Sequence, residues 1–249
     1  TEQATAMQLK TDFVANASHE LRTPLASIKA AAETLHEVGG EDPQIRERLI
    51  AMIASNAERL EELSRDLLDL SSLESPEAAC VIERVDLTAI AEDLHELFAE
   101  PCTTRQITLE FDLDDRLSTT WTDARLVRLV LRNLLDNAVK FADTGSVVRV
   151  RGSVSPGAGD APGTTRLGAT LEVIDQGIGI PIAQQQRIFE RFFQADEART
   201  GSPARRGTGL GLAIVKHALR ALGGTIEVES VWQQGTTMTV DLPGCVEAQ

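Results

Sequence analysis

Apolar positions recur at helical spacing along the first part of the chain and predict two long helices between about residues 7 and 73. The sequence Gly-Gly-Glu-Asp-Pro at residues 39–43 breaks the pattern and permits a reversal of the chain. In the second helix the steps alternate between four and three residues, as in the seam of a coiled coil, and the seam has one polar member, Asn56. The apolar positions are Leu9, Phe13, Ala17, Leu21, Leu25, Ile28, Ala32 and Leu35 in the first helix and Leu49, Ile53, Leu60, Leu63, Leu67 and Leu70 in the second.

This helical hairpin, residues 1–74, cannot bury both of its apolar faces by itself. Two hairpins can do so by forming a four-helix bundle, and we therefore predict a homodimer that is held together by this bundle. The alternative is that the hairpin docks on the rest of its own chain.

Residues 75–84 show no periodicity and include Pro76, so we interpret them as a linker. The remaining residues, 85–249, mix the two periodicities. Strands that follow strands and helices that follow helices predict an α+β fold, with an α/β two-layer sandwich in which helices cover one face of a sheet. The predicted helices lie at about 86–100, 123–141 and 208–222, and the predicted strands at about 107–113, 146–153, 168–175, 225–231 and 236–242.

Composition and charge narrow the possible functions. The 249 residues suffice for two ordinary domains, and the formal net charge of −14 disfavours nucleic acid and anionic lipid as partners. Cys80, Cys102 and Cys245 have no paired spacing, which is typical of a reducing compartment. We see no apolar run of the ~18–20 residues that a membrane helix needs, so we expect no membrane contact by this segment. Because the chain opens at Thr1 without a Met, we expect a fragment of a longer protein.

A histidine on the first helix lies outside its apolar stripe. Residues 13–28 read FVANASHELRTPLASI, and His19 is followed by Glu20. An exposed imidazole can act as a nucleophile when a neighbouring group accepts its proton, and the carboxylate of Glu20 can do this. Pro24 has no N–H to bond the carbonyl of Glu20, so we expect the helix to bend there. For an isolated histidine, a plain exposed side chain would be the alternative interpretation.

The whole string SHELRTPL, residues 18–25, closely resembles the phosphoacceptor box of the sensor histidine kinases of two-component systems. The resemblance implies that His19 is autophosphorylated and that Glu20 is its acid/base. It also implies that Thr23 positions a water molecule when the protein dephosphorylates its partner.

A second segment, residues 129–141, reads LVLRNLLDNAVKF and places Asn133, Asn137 and Lys140 on one stripe, apart from the apolar face of the predicted helix. An ordinary amphipathic helix would explain the leucines but not the two asparagines, whose oxygens suit Mg²⁺. The segment resembles the N box of the same kinases and of a wider ATPase family that includes chaperones, DNA gyrase and mismatch-repair proteins. The resemblance implies Mg²⁺ on Asn137 with Asn133 assisting, Lys140 on a phosphate, and Phe141 against the adenine.

A third segment, residues 171–182, reads LEVIDQGIGIPI, in which a strand runs into Asp-x-Gly-x-Gly. Gly177 and Gly179 are free to take a positive φ, and Asp175 can accept a hydrogen bond from an amino group such as that of adenine. This pattern also occurs in ordinary turns. The segment resembles the first glycine box of these kinases, which implies that Asp175 recognises the adenine.

Residues 187–194, RIFERFFQ, are similar to the phenylalanine box of the family, although core packing would also explain them. A polar stretch at residues 195–206 has the composition of a lid, in which Arg205 and Arg206 either touch phosphates or are solvated. The sequence GTGLGLAI then exposes backbone N–H groups at the start of a helix, which favours phosphate binding but is neither a P-loop nor a dinucleotide fingerprint. It resembles the second glycine box, which implies cofactor contacts at Gly207, Gly209, Leu210 and Gly211.

Together these segments span nearly the whole chain. The resemblance implies the catalytic core of a dimeric sensor histidine kinase that binds ATP and Mg²⁺, phosphorylates His19 and passes the phosphoryl group to an Asp of a response-regulator receiver domain, with phosphatase activity as a further expectation. It also implies the cytoplasmic part of a membrane-anchored sensor. The first alternative is a catalytically weak, kinase-like scaffold, against which the complete ligand set argues. The second is a chaperone-type or topoisomerase-type ATPase, which leaves SHELRTPL unexplained.

Overall fold

The computed structural model describes residues 2–38, 42–75, 80–155, 166–194 and 207–247. The chain divides into two compact units, Thr1–Asp69 (unit 1) and Leu70–Gln249 (unit 2). Three features of the sequence lie at least partly outside the described residues. They are the Gly-Gly-Glu part of the predicted reversal, the Gly- and Pro-rich sequence at residues 155–163, which predicts a solvent loop, and the polar stretch 195–206 with Arg205 and Arg206.

Unit 1 consists of the two predicted long helices. Helix α1 spans Glu2–Val38 and continues on both sides of Pro24, while helix α2 spans Pro43–Glu74 and ends in unit 2. The start of α2 is set by Asp42, whose Oδ1 accepts the N–H of Gln44 at 2.8 Å. Pro43 has no N–H, which costs nothing at the first helical position because an N–H there has no helical acceptor. The bend at Pro24 remains a prediction.

The hairpin buries only part of its apolar surface. Leu63 and Ala31 are buried, but Leu21 and Leu25 of the predicted stripe are 36% and 59% exposed. A single hairpin therefore leaves large apolar side chains in contact with solvent, in agreement with the expectation from the sequence. In unit 1 these side chains are Val14, Leu21, Leu25, Ile45, Ile50, Met52 and Leu68.

Unit 2 contains a mixed sheet that, within the described residues, has seven strands. Its order is β1-β3-β7-β5-β4-β2, with β6 also paired to β7; β2 and β4 are parallel and the other pairs are antiparallel. The short strands β1 and β3 were not predicted, because three residues are too few to show an alternation. The strands are β1 (Glu83–Val85), β2 (Thr108–Leu113), β3 (Thr120–Thr122), β4 (Val147–Ser155), β5 (Arg166–Asp175), β6 (Thr225–Val231) and β7 (Gly235–Glu247).

The helices of unit 2 are α3 (Leu87–Arg105), α4 (Ala124–Phe141), the short α5 (Ile182–Gln185) and α6 (Gly211–Leu222), with a 3₁₀ turn at Asp115–Ser118. Helix α4 begins close to its predicted start, where Asp123 is the N-cap and its Oδ1 accepts the N–H of Leu126 at 3.1 Å. Helix α3 runs one turn beyond its predicted end at residue 100, through Pro101. The buried Cys102 lies in this extra turn, so packing against the core favours helix despite the proline.

The core of unit 2 lies between the sheet and its helices. Burial alternates along β4, whose inner residues include Val148 and Val150, and helix α4 buries a continuous apolar face that includes Leu134 and Leu135. The predicted fold class, a helical hairpin followed by an α/β two-layer domain, is confirmed. The four-helix bundle requires a second chain and remains a prediction. None of the helices in the described part of the chain has both the length and the apolar character that a membrane crossing needs.

Candidate active site

The histidine of the phosphoacceptor-like string is exposed on α1. Its neighbour Glu20 is half-buried and forms an ion pair with Arg59 of α2, in which Arg59 Nη2 lies 3.2 Å from Glu20 Oε2. The hydroxyl of Thr23 donates to the carbonyl of His19 at 3.3 Å. The imidazole of His19 is thus accessible to a reagent from solution, while the adjacent carboxylate is held by a cation on the other helix. Arg59 was missed in the sequence analysis because it lies 39 residues from its partner.

The two asparagines of α4 face the start of α6. Asn133 is buried, its Nδ2 donates to the carbonyl of Leu129 at 2.8 Å, and its Oδ1 lies 3.0 Å from the position that a Cβ on Gly211 would take. Asn137 Nδ2 lies 3.9 Å from the same position. A side chain at Gly211 would therefore fill the space between the two amides and the first turn of α6.

Lys140 continues this polar stripe toward the start of the glycine segment. Its Nζ lies 3.4 Å from Asp136 Oδ2 and 3.6 Å from the position that a Cβ on Gly207 would take. The predicted stripe of Asn133, Asn137 and Lys140 thus faces Gly207–Gly211. Two amides and an ammonium group lie beside a helix N-terminus, where backbone N–H groups lack helical acceptors, and such an arrangement favours phosphate.

The phenylalanine-rich segment holds the glycine segment in place. The backbone N–H of Phe192 donates to the carbonyl of Gly209 at 2.8 Å, and the Gln194 side chain donates to the carbonyl of Gly207 at 2.8 Å. Gly209 has a φ of 73°, and Phe192 itself has a φ of 61°, which is rare for a residue with a side chain. The segment also packs into the core through the buried Ile188, as the core-packing interpretation of the sequence expects.

Asp175 is the last residue of β5 and is largely buried. Burial raises the pKa of its carboxyl group to about 7, although backbone hydrogen bonds from Gly177 and Thr236 favour the ionised form. Its Oδ1 is buried without a hydrogen-bond partner among the described residues. An unsatisfied buried acceptor is costly, and a ligand that donates an N–H would satisfy it.

The two glycines after Asp175 have different structural roles. Gly179 has the predicted positive φ, 64°, but Gly177 does not, so our prediction for Gly177 was wrong in this respect. A Cβ on Gly177 would lie 2.2 Å from the carbonyl oxygen of Phe141. Glycine is therefore required at this position because the end of α4 passes directly against the turn.

The turn between β6 and β7 supports the Asp175 turn from the other side, a contact that no pattern in the sequence indicates. A Cβ on Gly235, whose φ is 123°, would lie 2.1 Å from the carbonyl oxygen of Asp175. The N–H of Gln233 donates to the carbonyl of Ile178 at 2.8 Å. The hydroxyl of Ser230 accepts the N–H of Ile180 at 2.8 Å. The two strands predicted here are present and pair with each other, but nothing in their pattern shows which loop their turn packs against.

Unit 2 thus offers a buried acceptor for an amino group and, next to α6, a cationic and amide-lined anion site. The end of α4 joins the two, because Ala142 pairs with Gly177 in an isolated bridge. A ligand that carries an amino-substituted base and phosphates matches this chemistry.

Two family models match the chain in succession. The model described as His Kinase A (phospho-acceptor) domain matches residues 9–76, and the model described as histidine kinase-, DNA gyrase B-, and HSP90-like ATPase matches residues 122–244. The first range contains SHELRTPL, and the second contains the residues of the nucleotide-type site.

Among curated proteins, the chain is 35% identical to the sensor-like histidine kinase SenX3 of Mycobacterium tuberculosis, over 95% of this chain and 54% of the relative. It is 34% identical to the sensor histidine kinase WalK of Bacillus subtilis, over 98% of this chain and 38% of the relative. The chain therefore spans about half or less of the length of these relatives.

Among solved structures, the histidine kinase AdeS of Acinetobacter baumannii shares the fold with a TM-score of 0.67 at 23% identity, covering 91% of this chain and 98% of that chain. The full-length ShkA structure, in complex with AMPPNP, has a TM-score of 0.64 at 27% identity and covers 97% of this chain and 46% of that chain. The histidine kinase ThkA, in complex with the response regulator TrrA, has a TM-score of 0.72 at 20% identity and covers 97% of this chain and 64% of that chain.

Proposed function

Because this chain belongs to the histidine kinase family, we propose that it is the catalytic core of a sensor histidine kinase. In this proposal unit 2 binds ATP, His19 of unit 1 accepts the γ-phosphoryl group, and the group then passes to an Asp of a response-regulator receiver domain. The observation that carries the proposal is the convergence of Asn133, Asn137 and Lys140 on the glycine segment at the start of α6.

The roles of the nucleotide-site residues follow from their chemistry. Asp175 accepts the adenine amino group through its buried, unpartnered oxygen, Phe141 packs against the adenine, and Lys140 binds a phosphate. The glycine segment, Gly207–Gly211, offers its N–H groups to the phosphate oxygens. The neutral oxygens of Asn137 and Asn133 suit Mg²⁺, which takes few protein ligands and completes its shell with water and phosphate. When bound there, Mg²⁺ would neutralise phosphate charge.

The transfer at His19 requires a nucleophile and a base. One ring nitrogen attacks the γ-phosphorus and forms an N–P bond, while the bond to the bridging oxygen breaks and its electron pair leaves with ADP. Glu20 takes the proton from the other ring nitrogen, and Arg59 orients the Glu20 carboxylate. In the second step a carboxylate oxygen of the receiver Asp attacks the phosphorus, the N–P electron pair returns to the imidazole, and Glu20 gives the proton back to the other ring nitrogen. Thr23 positions water for the dephosphorylation of the receiver.

Phosphate labelling tests this assignment. The chain is incubated with γ-labelled ATP and Mg²⁺, and acid-labile, base-stable label is measured in the wild type, in His19→Ala and in His36→Ala. His36 is a matched control because it is also an exposed histidine on α1. We expect label in the wild type and in His36→Ala only. Label retained by His19→Ala would refute the choice of acceptor, and ATP binding without any label in the wild type would favour the scaffold alternative.

We also propose that the chain acts as a homodimer through unit 1, because its hairpin exposes seven large apolar side chains within the described residues. Sedimentation equilibrium of the full chain tests this. We expect a dimer that is weakened by Leu68→Glu and unaffected by Val81→Glu, since these side chains are 69% and 62% exposed and only the first belongs to unit 1. A wild type that stays monomeric at all concentrations would contradict the dimer.

We further propose, from the family resemblance, that this chain is the cytoplasmic part of a membrane-anchored sensor; the relatives are about twice its length or more, which leaves room for other segments in the whole protein. Fractionation of cells that express the full-length protein tests it. We expect the chain to sediment with the membrane in the full-length protein, and recovery of that protein in the soluble fraction would contradict this placement.

A further inference from the structure

Arg105, the last residue of α3, bonds the end of the neighbouring helix α4. Its Nη2 donates to the carbonyl of Ala142 at 2.8 Å, and its Nη1 donates to the carbonyl of Val139. Arg105 is half-buried, and Gln106 after it ends α3 in a left-handed conformation with a φ of 56°. The guanidinium group therefore caps a helix to which it does not belong.

The carbonyl of Val139 needs this donor for a specific reason. In an uninterrupted helix it would accept the N–H of the residue four positions later, Asp143. That N–H instead donates to the carbonyl of Gln176 at 3.0 Å, in the turn that follows β5. The carbonyl of Val139 therefore accepts a hydrogen bond from Arg105 in place of the one from the Asp143 N–H.

The same short region determines the relative positions of two parts of the nucleotide site. The N–H of Ile178 donates to the carbonyl of Phe141 at 3.4 Å, and Ala142 is paired with Gly177. Lys140 and Phe141 lie on the α4 side of this junction, and Asp175 lies on the β5 side. A shift of the α4 end would move the first pair relative to the second.

We infer that Arg105 is a positioning residue of the nucleotide site, which fixes Lys140 and Phe141 relative to Asp175 by closing the junction between α4 and the β5 turn. This inference rests on the proposed binding of ATP by unit 2. A merely structural cap would stabilise α4 through its charge and its two hydrogen bonds to the helix end. A positioning residue additionally sets the affinity for a ligand that must reach both sides of the junction.

Two variants and a control separate these roles in the full chain. Arg105→Gln removes the charge and the fork, and Arg105→Lys keeps the charge but not the planar pair of donors. Arg149→Gln is the matched control, because Arg149 is bonded to Glu110 on the sheet, outside the site. Urea unfolding, followed by tryptophan fluorescence, first establishes a temperature at which every variant is fully folded. Affinity for AMPPNP with Mg²⁺ is then measured at that temperature by calorimetry.

We expect Arg105→Gln to raise the Kd for AMPPNP about tenfold or more, Arg105→Lys to raise it less, and Arg149→Gln to leave it unchanged. For a fully folded protein, loss of stability alone does not change Kd, so a lower unfolding midpoint with a wild-type Kd in both Arg105 variants would overturn the inference. If Arg105→Gln does not fold, a wild-type Kd in Arg105→Lys would overturn it. Failure of the wild type to bind AMPPNP would instead overturn the proposed function.

Discussion

Replacing Asp175 by asparagine should stabilise unit 2 and weaken nucleotide binding at the same time. The pKa of this carboxyl group is raised from 3.8 to about 7 in the folded protein, chiefly by burial. At pH values between 3.8 and about 7, Asp175 keeps its proton in the folded protein and releases it in the unfolded chain. The stability of unit 2 must therefore fall as the pH rises from about 4 to about 7, and above pH 7 the full cost of the buried carboxylate is present.

The size of the effect follows from the shift. Each pH unit between 3.8 and about 7 costs about 1.4 kcal/mol, which amounts to about 4 kcal/mol at pH 8 and about 2 kcal/mol at pH 5. Asparagine has nearly the same shape and does not ionise, so Asp175→Asn should recover a large part of this free energy. In the proposed function the ionised oxygen also accepts the adenine amino group, and loss of such a charge-assisted hydrogen bond would cost about 1.5–3 kcal/mol of affinity, or about tenfold to more than a hundredfold.

Tryptophan fluorescence reports on the unfolding of unit 2. The protein has two tryptophans and no tyrosine, and both Trp121 and Trp232 lie in unit 2. Urea unfolding at pH 5 and pH 8 gives the stability difference, and AMPPNP calorimetry gives the affinity. Asp114→Asn is the control, because hydrogen bonds from Arg116 lower the pKa of Asp114 to about 2, so its carboxylate is already favoured by the fold. We expect no gain in stability from the control at pH 8.

Stability and AMPPNP affinity, measured as functions of pH, test separately whether burial strains the Asp175 carboxylate and whether Asp175 contacts the ligand. In the wild type, affinity for AMPPNP should rise between pH 6 and pH 8 as Asp175 ionises, and the Asp175→Asn profile should lack this rise. A variant that is no more stable than the wild type at pH 8 would show that the carboxylate is not strained by burial. A variant that binds AMPPNP as tightly as the wild type would show that Asp175 does not contact the ligand.

Three further substitutions test individual contacts. Arg59→Gln should slow labelling of His19 about tenfold without changing AMPPNP affinity, because it frees the carboxylate of Glu20; an unchanged labelling rate would contradict this. Gly235→Ala should lower the urea midpoint of unit 2, since its Cβ would lie 2.1 Å from a backbone oxygen at a φ of 123°; a wild-type midpoint would be inconsistent with this geometry. Asp123→Ala should lower the free energy of unfolding of unit 2 by about 2 kcal/mol, because it removes both the N-cap of α4 and the acceptor of the Val81 N–H before β1. Urea denaturation measures this loss, and an unchanged free energy of unfolding would contradict it.

Local patterns predicted the parts of the fold that depend on neighbouring residues. The helical period placed Asn133, Asn137 and Lys140 on one stripe of α4, and the cap at Asp123 set the start of that helix. The contacts that hold the site together were not predictable in this way. Glu20 and Arg59 lie on different helices, and their pairing depends on how the two helices pack. A period along one helix carries no information about that packing.

The glycines show why the motifs alone did not reveal how the site is built. Gly177, Gly209 and Gly235 each bring one segment of backbone against another, at distances where a Cβ would lie 2.2, 2.8 and 2.1 Å from a backbone atom. Gly207 and Gly211 instead face polar side chains, where a Cβ would meet its nearest atom at 3.6 and 3.0 Å. The first group joins the segments of the site, and the second leaves room for a ligand. The two groups of glycines look the same in a sequence motif. Only the folded structure distinguishes the glycines that bring segments of the site together from the glycines that can line a ligand pocket.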